Sequence, residues 1–139
     1  LQDPGNAGAV LRSAEAFGAT GVIFLKGTAS PYNPKAVRAS AGSVFRVPLV
    51  TGVEHVEARS ALARVVCFAA SARGGIDAAE ADFARPCAIV VGSEGAGVSE
   101  VMSAGAKGVR IPTVSVESLN AATAAAILLY EARRQRSRA

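Results

Sequence analysis

Short continuous apolar runs at residues 22–25, 65–70, 88–91 and 109–111, the last closed by Pro112, alternate along the chain with stretches whose apolar residues recur every three or four positions. Runs of that length bounded by turn residues predict buried strands, and the three-to-four spacing predicts helices. Residues 7–17 place Val10, Leu11, Ala14 and Phe17 on one helical face, and Gly18 ends the pattern. Residues 35–43 form a short basic helix carrying Lys35 and Arg38. Residues 54–64 alternate charge with Ala and Leu as an exposed helix, residues 99–104 suit a short one, and residues 119–136 the long final one. The run 44–50, broken by Arg46 and Pro48, predicts an edge or interrupted strand. Residues 77–83 are helical or irregular. Strands that alternate with helices imply an α/β fold: a mainly parallel sheet covered by helices on both faces.

Three polar clusters stand apart from this pattern. Residues 92–97, Gly-Ser-Glu-Gly-Ala-Gly, follow the strand 88–91; residues 112–120 follow the strand 109–111; and Asp3-Pro4-Gly5-Asn6, with Arg12 further on, opens the chain. Ligands of open α/β sheets bind at the carboxyl ends of strands, where helix N-termini present free N–H groups. Residues 92–97 match neither GxGxxG nor GxxxxGK[ST], but their glycines permit a tight turn and a close backbone approach to a ligand. Glu94 is harder to explain structurally, because an isolated carboxylate is expensive to desolvate. Ser118 and Asn120 are of the type that caps a helix start.

Composition narrows the function classes. The 139 residues suit one domain with a sizeable core, built of Ala, Val, Ile and Leu since there is no Trp. Fifteen Lys and Arg against eleven Asp and Glu give +4, a modest bias toward polyanions. Arg133, Arg134, Arg136 and Arg138 close the chain either as a basic end matching the helix dipole or as a phosphate-contacting patch. Cys67 and Cys87 lack CxxC spacing and read as buried reduced thiols of a cytosolic protein. His55, the only histidine, reads as a surface residue, which disfavours histidine-centred catalysis and a metal partner. With no run of roughly 18 apolar residues and no secretory signal, a cytoplasmic protein without a membrane partner is expected. The chain opens at Leu1 inside a motif, so it is expected to be a fragment of a longer protein.

Taken together, residues 3–8 through Arg12, residues 89–97, and Ile111-Pro112 with Ser118-Leu119-Asn120 resemble, in order and spacing, the three motifs of the SpoU (TrmH-like) branch of the SPOUT methyltransferases. The resemblance covers nearly the whole chain. It implies methyl transfer from S-adenosylmethionine to a ribose 2′-hydroxyl of RNA, ribosomal RNA first and transfer RNA second. It further implies a C-terminal trefoil knot, a homodimer and an N-terminal RNA-recognition domain before the first motif; periodicity predicts none of these, and threaded chains are rare. By resemblance the cofactor-binding residues are Ala70, Gly92, Ser93, Gly95, Ile111, Pro112, Ser118 and Leu119, and the catalytic set is Asn6, Arg12, Glu94, Ser118 and Asn120. The compact residues 113–117 depart from the family pattern, which has a longer loop with a glycine there.

The reaction is an in-line attack of oxygen on a sulfonium methyl, to which alignment alone contributes several kcal/mol. The family view has Arg12 deprotonate the hydroxyl, but a guanidinium with a pKa above about 12 is a poor base. Arg12 is therefore read as holding the target phosphate and stabilising negative charge developing on the oxygen, with the proton acceptor unassigned. Two other readings remain open at this level: an RNA-binding dimer of the same fold that transfers no methyl group, and a generic nucleotide-binding α/β domain.

Overall fold

The computed structural model describes residues 1–93 and 95–137. Helix α1 (Pro4–Ala16) begins where the Gly5 N–H donates to the Asp3 carboxylate, with Pro4 in its first turn. A proline there costs no hydrogen bond, since the first N–H groups of a helix have no partner within it. The helix therefore starts three residues before the predicted 7–17. It buries Ala7, Gly8, Leu11 and Ala14. Helix α2 (Pro34–Ala39) starts in the same way, with Asn33 accepting from the Lys35 N–H at 2.9 Å. The two helices touch backbone to backbone: a Cβ on Gly8 would lie 2.2 Å from the Ala36 carbonyl oxygen.

Among the described residues all strand pairs are parallel, in two sheets. Strands β1 (Val22–Leu25) and β2 (Leu49–Val53) form one. The other runs, in spatial order, β4 (Ile76–Asp77), β6 (Lys107–Arg110), β3 (Val66–Ala70), β5 (Cys87–Val90). The α/β class with parallel pairing is as predicted, but a single sheet is not what forms. The register of the β1–β2 pair skips Gly52 of β2, opposite Phe24 and Leu25 of β1, an irregularity of the kind that bends a strand away from flat pairing.

Two further differences have local causes. Residues 44–50 do not form one interrupted strand: Ser43–Phe45 is a 3-10 turn, and β2 begins only after Pro48. The turn is anchored to α1 because Glu15 accepts from Ser43 Oγ and from Arg46 Nε, each at 2.5 Å. The Pro48 carbonyl then accepts from the Val22 N–H at 2.9 Å, so pairing starts on the one ladder group a proline still offers. Residues 77–83 do not form a helix: Asp77 is the second residue of the edge strand β4, and one turn closes on its carbonyl. Phe83 then enters the core at 4.7 Å from Phe68, ring centre to ring centre.

Two apolar clusters hold these layers. One joins α1, α2 and β1 through Ala7, Leu11, Ala36, Phe24, Val44 and Val47. The other joins Phe68, Phe83 and Val109 to Leu128 and Ala132 of α5 (Ala121–Arg136). The far end of α5 is gripped by the connection between β4 and β5. Gln135 accepts from the Phe83 N–H at 2.8 Å and donates to the Ala81 carbonyl at 2.9 Å, and Arg136 Nε donates to the Phe83 carbonyl at 2.9 Å. Arg136 is thus committed to the fold and Arg134 pairs with Glu131, which leaves Arg133 exposed; Arg138 lies outside the described residues. Helices α3 (His55–Ala61) and α4 (Glu100–Ser103) are shorter than predicted. Cys67 is buried as expected, whereas Cys87 is only half-buried, beside Arg136. Among the described residues no helix is long and apolar enough to cross a membrane.

Candidate functional site

Parallel pairing brings the carboxyl ends of β5, β3 and β6 to one edge, and a cleft of about 210 Å³ opens there. Residues 91–93, with Gly95 and Gly97, form one wall, and residues 70–72 after β3 another. Ile111, Thr113, Glu117, Ser118 and Leu119 close it after β6, and Ala121, Ala124 and Leu128 of α5 make its floor. Seven sequence-predicted residues thus line one cleft: Ala70, Gly92, Ser93, Gly95, Ile111, Ser118 and Leu119. Pro112 is exposed and outside the lining, although both its neighbours belong to it. Ala124 and Leu128 were not singled out from the sequence; the three-to-four spacing from Ala121 along α5 was the signal that could have found them.

The glycine wall has a specific need for glycine. A Cβ on Gly92 would lie 1.9 Å from the Gly97 carbonyl group, so these backbones touch. Ser93 and Gly97 exchange backbone hydrogen bonds at 3.1 and 2.9 Å, and the Ala96 N–H donates to Ser93 Oγ at 3.3 Å. Gly97 takes a positive φ of 67°, a conformation that costs a glycine little. Glu94 lies outside the described residues.

Asn120 joins two of the predicted catalytic residues. Its side-chain oxygen caps α5 by accepting from the Ala122 and Thr123 N–H groups at 2.9 and 3.1 Å, and its amide nitrogen donates to Asn6 Oδ1 at 3.1 Å. The first turn of α1 is thereby tied to the rim of the cleft, between Leu119 and Ala121. Ser118 lines the cleft but does not cap the helix, the role going to Asn120. Arg12 is exposed on α1, outside the lining; helix geometry puts it about 9 Å along the axis from Asn6 and roughly 120° around it.

The surrounding charges are mostly satisfied. Arg73 Nη2 and Glu117 Oε1 meet at 3.0 Å across the cleft mouth, both strongly exposed, so the pair contributes little stability. Hydrogen bonds from Arg46 first, and from Ser43 second, hold the Glu15 carboxyl at about 2. The Lys35 ammonium, with the Gly5 N–H, lowers Asp3. His55 lies outside this cleft, half-buried, its Nδ1 2.8 Å from Ser99 Oγ. Among the described residues no group of three His, Cys, Asp or Glu could hold a metal ion.

Known proteins with this arrangement carry related names. The chain is 41% identical to a 23S rRNA (uridine(2479)-2′-O)-methyltransferase of Streptomyces viridochromogenes, over 96% of this chain and 50% of that protein. It is 34% identical to the 23S rRNA (guanosine(2553)-2′-O)-methyltransferase RlmP of Bacillus subtilis, over 96% of this chain and 55% of that one. The crystal structure of the SpoU methyltransferase AviRb from Streptomyces viridochromogenes, in complex with AdoMet, superposes with a TM-score of 0.88 at 39% identity, covering 99% of this chain and 58% of that chain. A structure described as giving insight into 2-OH methylation of C/U34 on tRNA superposes with a TM-score of 0.89 at 32% identity, covering 99% and 92%. The chain spans about half the length of the curated relatives it matches. Residues 1–130 match the family described as SpoU rRNA Methylase, and with the strand-end cleft and its three motifs in place, the chain belongs to that family.

Proposed function

We propose that residues 1–139 are the methyl-transfer domain of a cytoplasmic RNA ribose 2′-O-methyltransferase that uses S-adenosylmethionine and acts on ribosomal RNA, with transfer RNA the second substrate class. The observation that carries this reading is the convergence of three strand-end loops on one cleft whose rim is tied, through Asn120, to Asn6. Similarity to proteins named as 23S rRNA 2′-O-methyltransferases supports it.

The cleft fits the cofactor's chemistry. Ile111, Leu119 and Leu128 offer apolar surface to a flat base, the surrounding loops offer backbone polar groups to its edge, and the bare Gly92 lets the wall come close. Bound there, S-adenosylmethionine supplies an electrophilic sulfonium methyl. Gly92, Ser93 and Gly95 form the wall beside it, Ala70 and Ile111 its flanks, and Ser118 and Leu119 its lip, while Pro112 sets the turn that aims them. Asn6 and Asn120 position the ribose at the rim. Glu94 belongs with this polar set by its place in the second motif. To Arg12, exposed on α1 outside the cleft lining, we assign the phosphate next to the target and the charge developing on the attacking oxygen, rather than removal of its proton. Each of these groups acts by alignment and charge, the largest contributions available to such a displacement.

The trefoil knot belongs to the same proposal. Its support is the set of hydrogen bonds that join residues 81–85 to Gln135 and Arg136 at the end of the last helix. A homodimer is proposed on the exposed Ile127 and Tyr130 of α5, where Tyr130 stacks edge-on against Phe17 at 5.7 Å.

Calorimetric titration with S-adenosylmethionine and S-adenosylhomocysteine, with ATP as control, tests the reading. One site per chain for both sulfur ligands and none for ATP is expected. A folded chain that binds neither, or binds ATP equally well, overturns it. Arg12→Ala should keep the binding and lose transfer; unaltered transfer would remove Arg12 from the mechanism.

A further inference from the structure

A second cleft, of about 250 Å³, opens on the other side of the 92–97 loop. The two clefts share Val91, Gly92, Ser93 and Gly97 as a common wall. Residues 1–6 span the same divide: Leu1 and Gln2 line the second cleft, while Asn6 is bonded to Asn120 at the rim of the first. Leu1 is held in that wall by its carbonyl, which accepts from the Ala29 N–H at 2.9 Å.

The lining selects a class of ligand. Leu25, Val98 and Met102 give apolar faces, and Gln2, Thr28 and His55 give hydrogen-bonding groups. The one charged side chain of the lining, Lys26, is already paired with Glu54 at 2.5 Å. The space is therefore suited to a neutral group with flat apolar faces and a polar edge, and not to a phosphate. At about 250 Å³ it is no smaller than the first cleft, of about 210 Å³, so it has room for a base.

We infer that this second cleft is the seat of the target nucleobase, an unstacked base of a single-stranded or splayed-out RNA segment whose ribose lies over the 92–97 loop. The inference rests on the methyl-transfer reading above. It places base and cofactor on opposite sides of one thin glycine-rich wall, with the ribose between them and beside Asn6. A base inside a duplex cannot enter, so the substrate must be a loop, a bulge or a flipped nucleotide. The Met102 thioether suits an aromatic ring of any sequence, while Gln2, Thr28 and His55 are the groups that read its edge.

The chain carries its own reporters, because Met102 is its only methionine and His55 its only histidine. With the chain saturated by S-adenosylhomocysteine, cytidine, uridine, adenosine and guanosine 5′-monophosphates are titrated while the Met102 methyl and His55 ring signals are followed by NMR. A saturable shift of both signals with at least one nucleotide, S-adenosylhomocysteine staying bound, is the expected result. Met102→Trp, which fills the cleft, should abolish the His55 response and leave S-adenosylhomocysteine affinity within about twofold. No saturable shift while S-adenosylhomocysteine binds normally would overturn the inference and leave the methyl-transfer reading standing. Competition between nucleotide and S-adenosylhomocysteine would give the cleft to the cofactor, and also overturn it. A nucleotide response without any S-adenosylhomocysteine binding would keep the base seat and sink the methyl-transfer reading instead.

Discussion

Replacing Asn120 separates two tasks that one side-chain amide performs. Its oxygen caps α5 through the Ala122 and Thr123 N–H groups, and its nitrogen reaches Asn6 at 3.1 Å at the rim of the strand-end cleft. Asn120→Ala removes both. Loss of a cap costs about 1 kcal/mol, and loss of a partly exposed hydrogen bond about 0.5–1 kcal/mol. With a urea slope of about 2 kcal/mol per molar, the unfolding midpoint should fall by roughly 0.8–1 M. Asn120→Ser keeps an oxygen at the cap but is too short to donate to Asn6, so it should recover about 1 kcal/mol of the loss, or roughly 0.5 M. Transfer should respond differently. If the Asn6 contact aligns the ribose, both variants lose about 1.4 kcal/mol or more of transition-state stabilisation, a tenfold fall in rate or greater. Urea denaturation and single-turnover methyl transfer on the same preparations make the comparison. A serine variant as unstable as the alanine variant would refute the capping assignment, and one that transfers at the parental rate would refute the positioning role.

Other perturbations have equally definite signs. Glu15 has its carboxyl held near 2, below its ordinary 4.5, chiefly by Arg46 and then by Ser43. A lowered folded-state pKa adds stability above the unfolded value and loses it as pH falls through the folded one, so Glu15→Gln should flatten the pH dependence of the unfolding midpoint between about 4.5 and 2, measured by acid titration; an unchanged slope refutes the pairing. Gly92→Ala forces a methyl to 1.9 Å from the Gly97 carbonyl and should abolish calorimetric S-adenosylmethionine binding at a stability cost of about 1–3 kcal/mol, whereas Gly95→Ala, with open space around it, should not destabilise. Burial raises the Cys87 thiol pKa, against the opposing pull of Arg136, so iodoacetamide should alkylate it more slowly than a free thiol near neutral pH, and Cys67, at 3% exposure, more slowly still; rapid labelling of Cys67 by mass spectrometry would contradict its burial.

The strands β1, β3 and β5 were legible because a short apolar run that must be covered by protein has few alternatives to a buried strand. The polar loops were legible as candidates because Gly92, Ser118 and Asn120 have backbone or capping chemistry readable from residue type alone. Boundaries were less so. Pro4 falls in the polar cluster ahead of the predicted helix 7–17, yet it is the helix's first residue, and residues 43–45 turn because Glu15, a distant residue, holds Ser43 and Arg46. His55 shows the same limit: its charged neighbours in sequence suggested open surface, but the fold brings Ser99 to it and builds a cleft around it.

By itself, then, the sequence determined the α/β class, the parallel pairing implied by alternating elements, and which residue types stand at strand ends, since each of these follows from local periodicity and side-chain chemistry. Only the tertiary structure decided that the strands divide into two sheets, that Asn120 faces Asn6 across 114 positions of chain, that Arg136 serves the fold, and that the glycine loop divides two clefts. Those outcomes depend on contacts between residues far apart in the chain, whose geometry is set by packing the whole core and by no window of sequence.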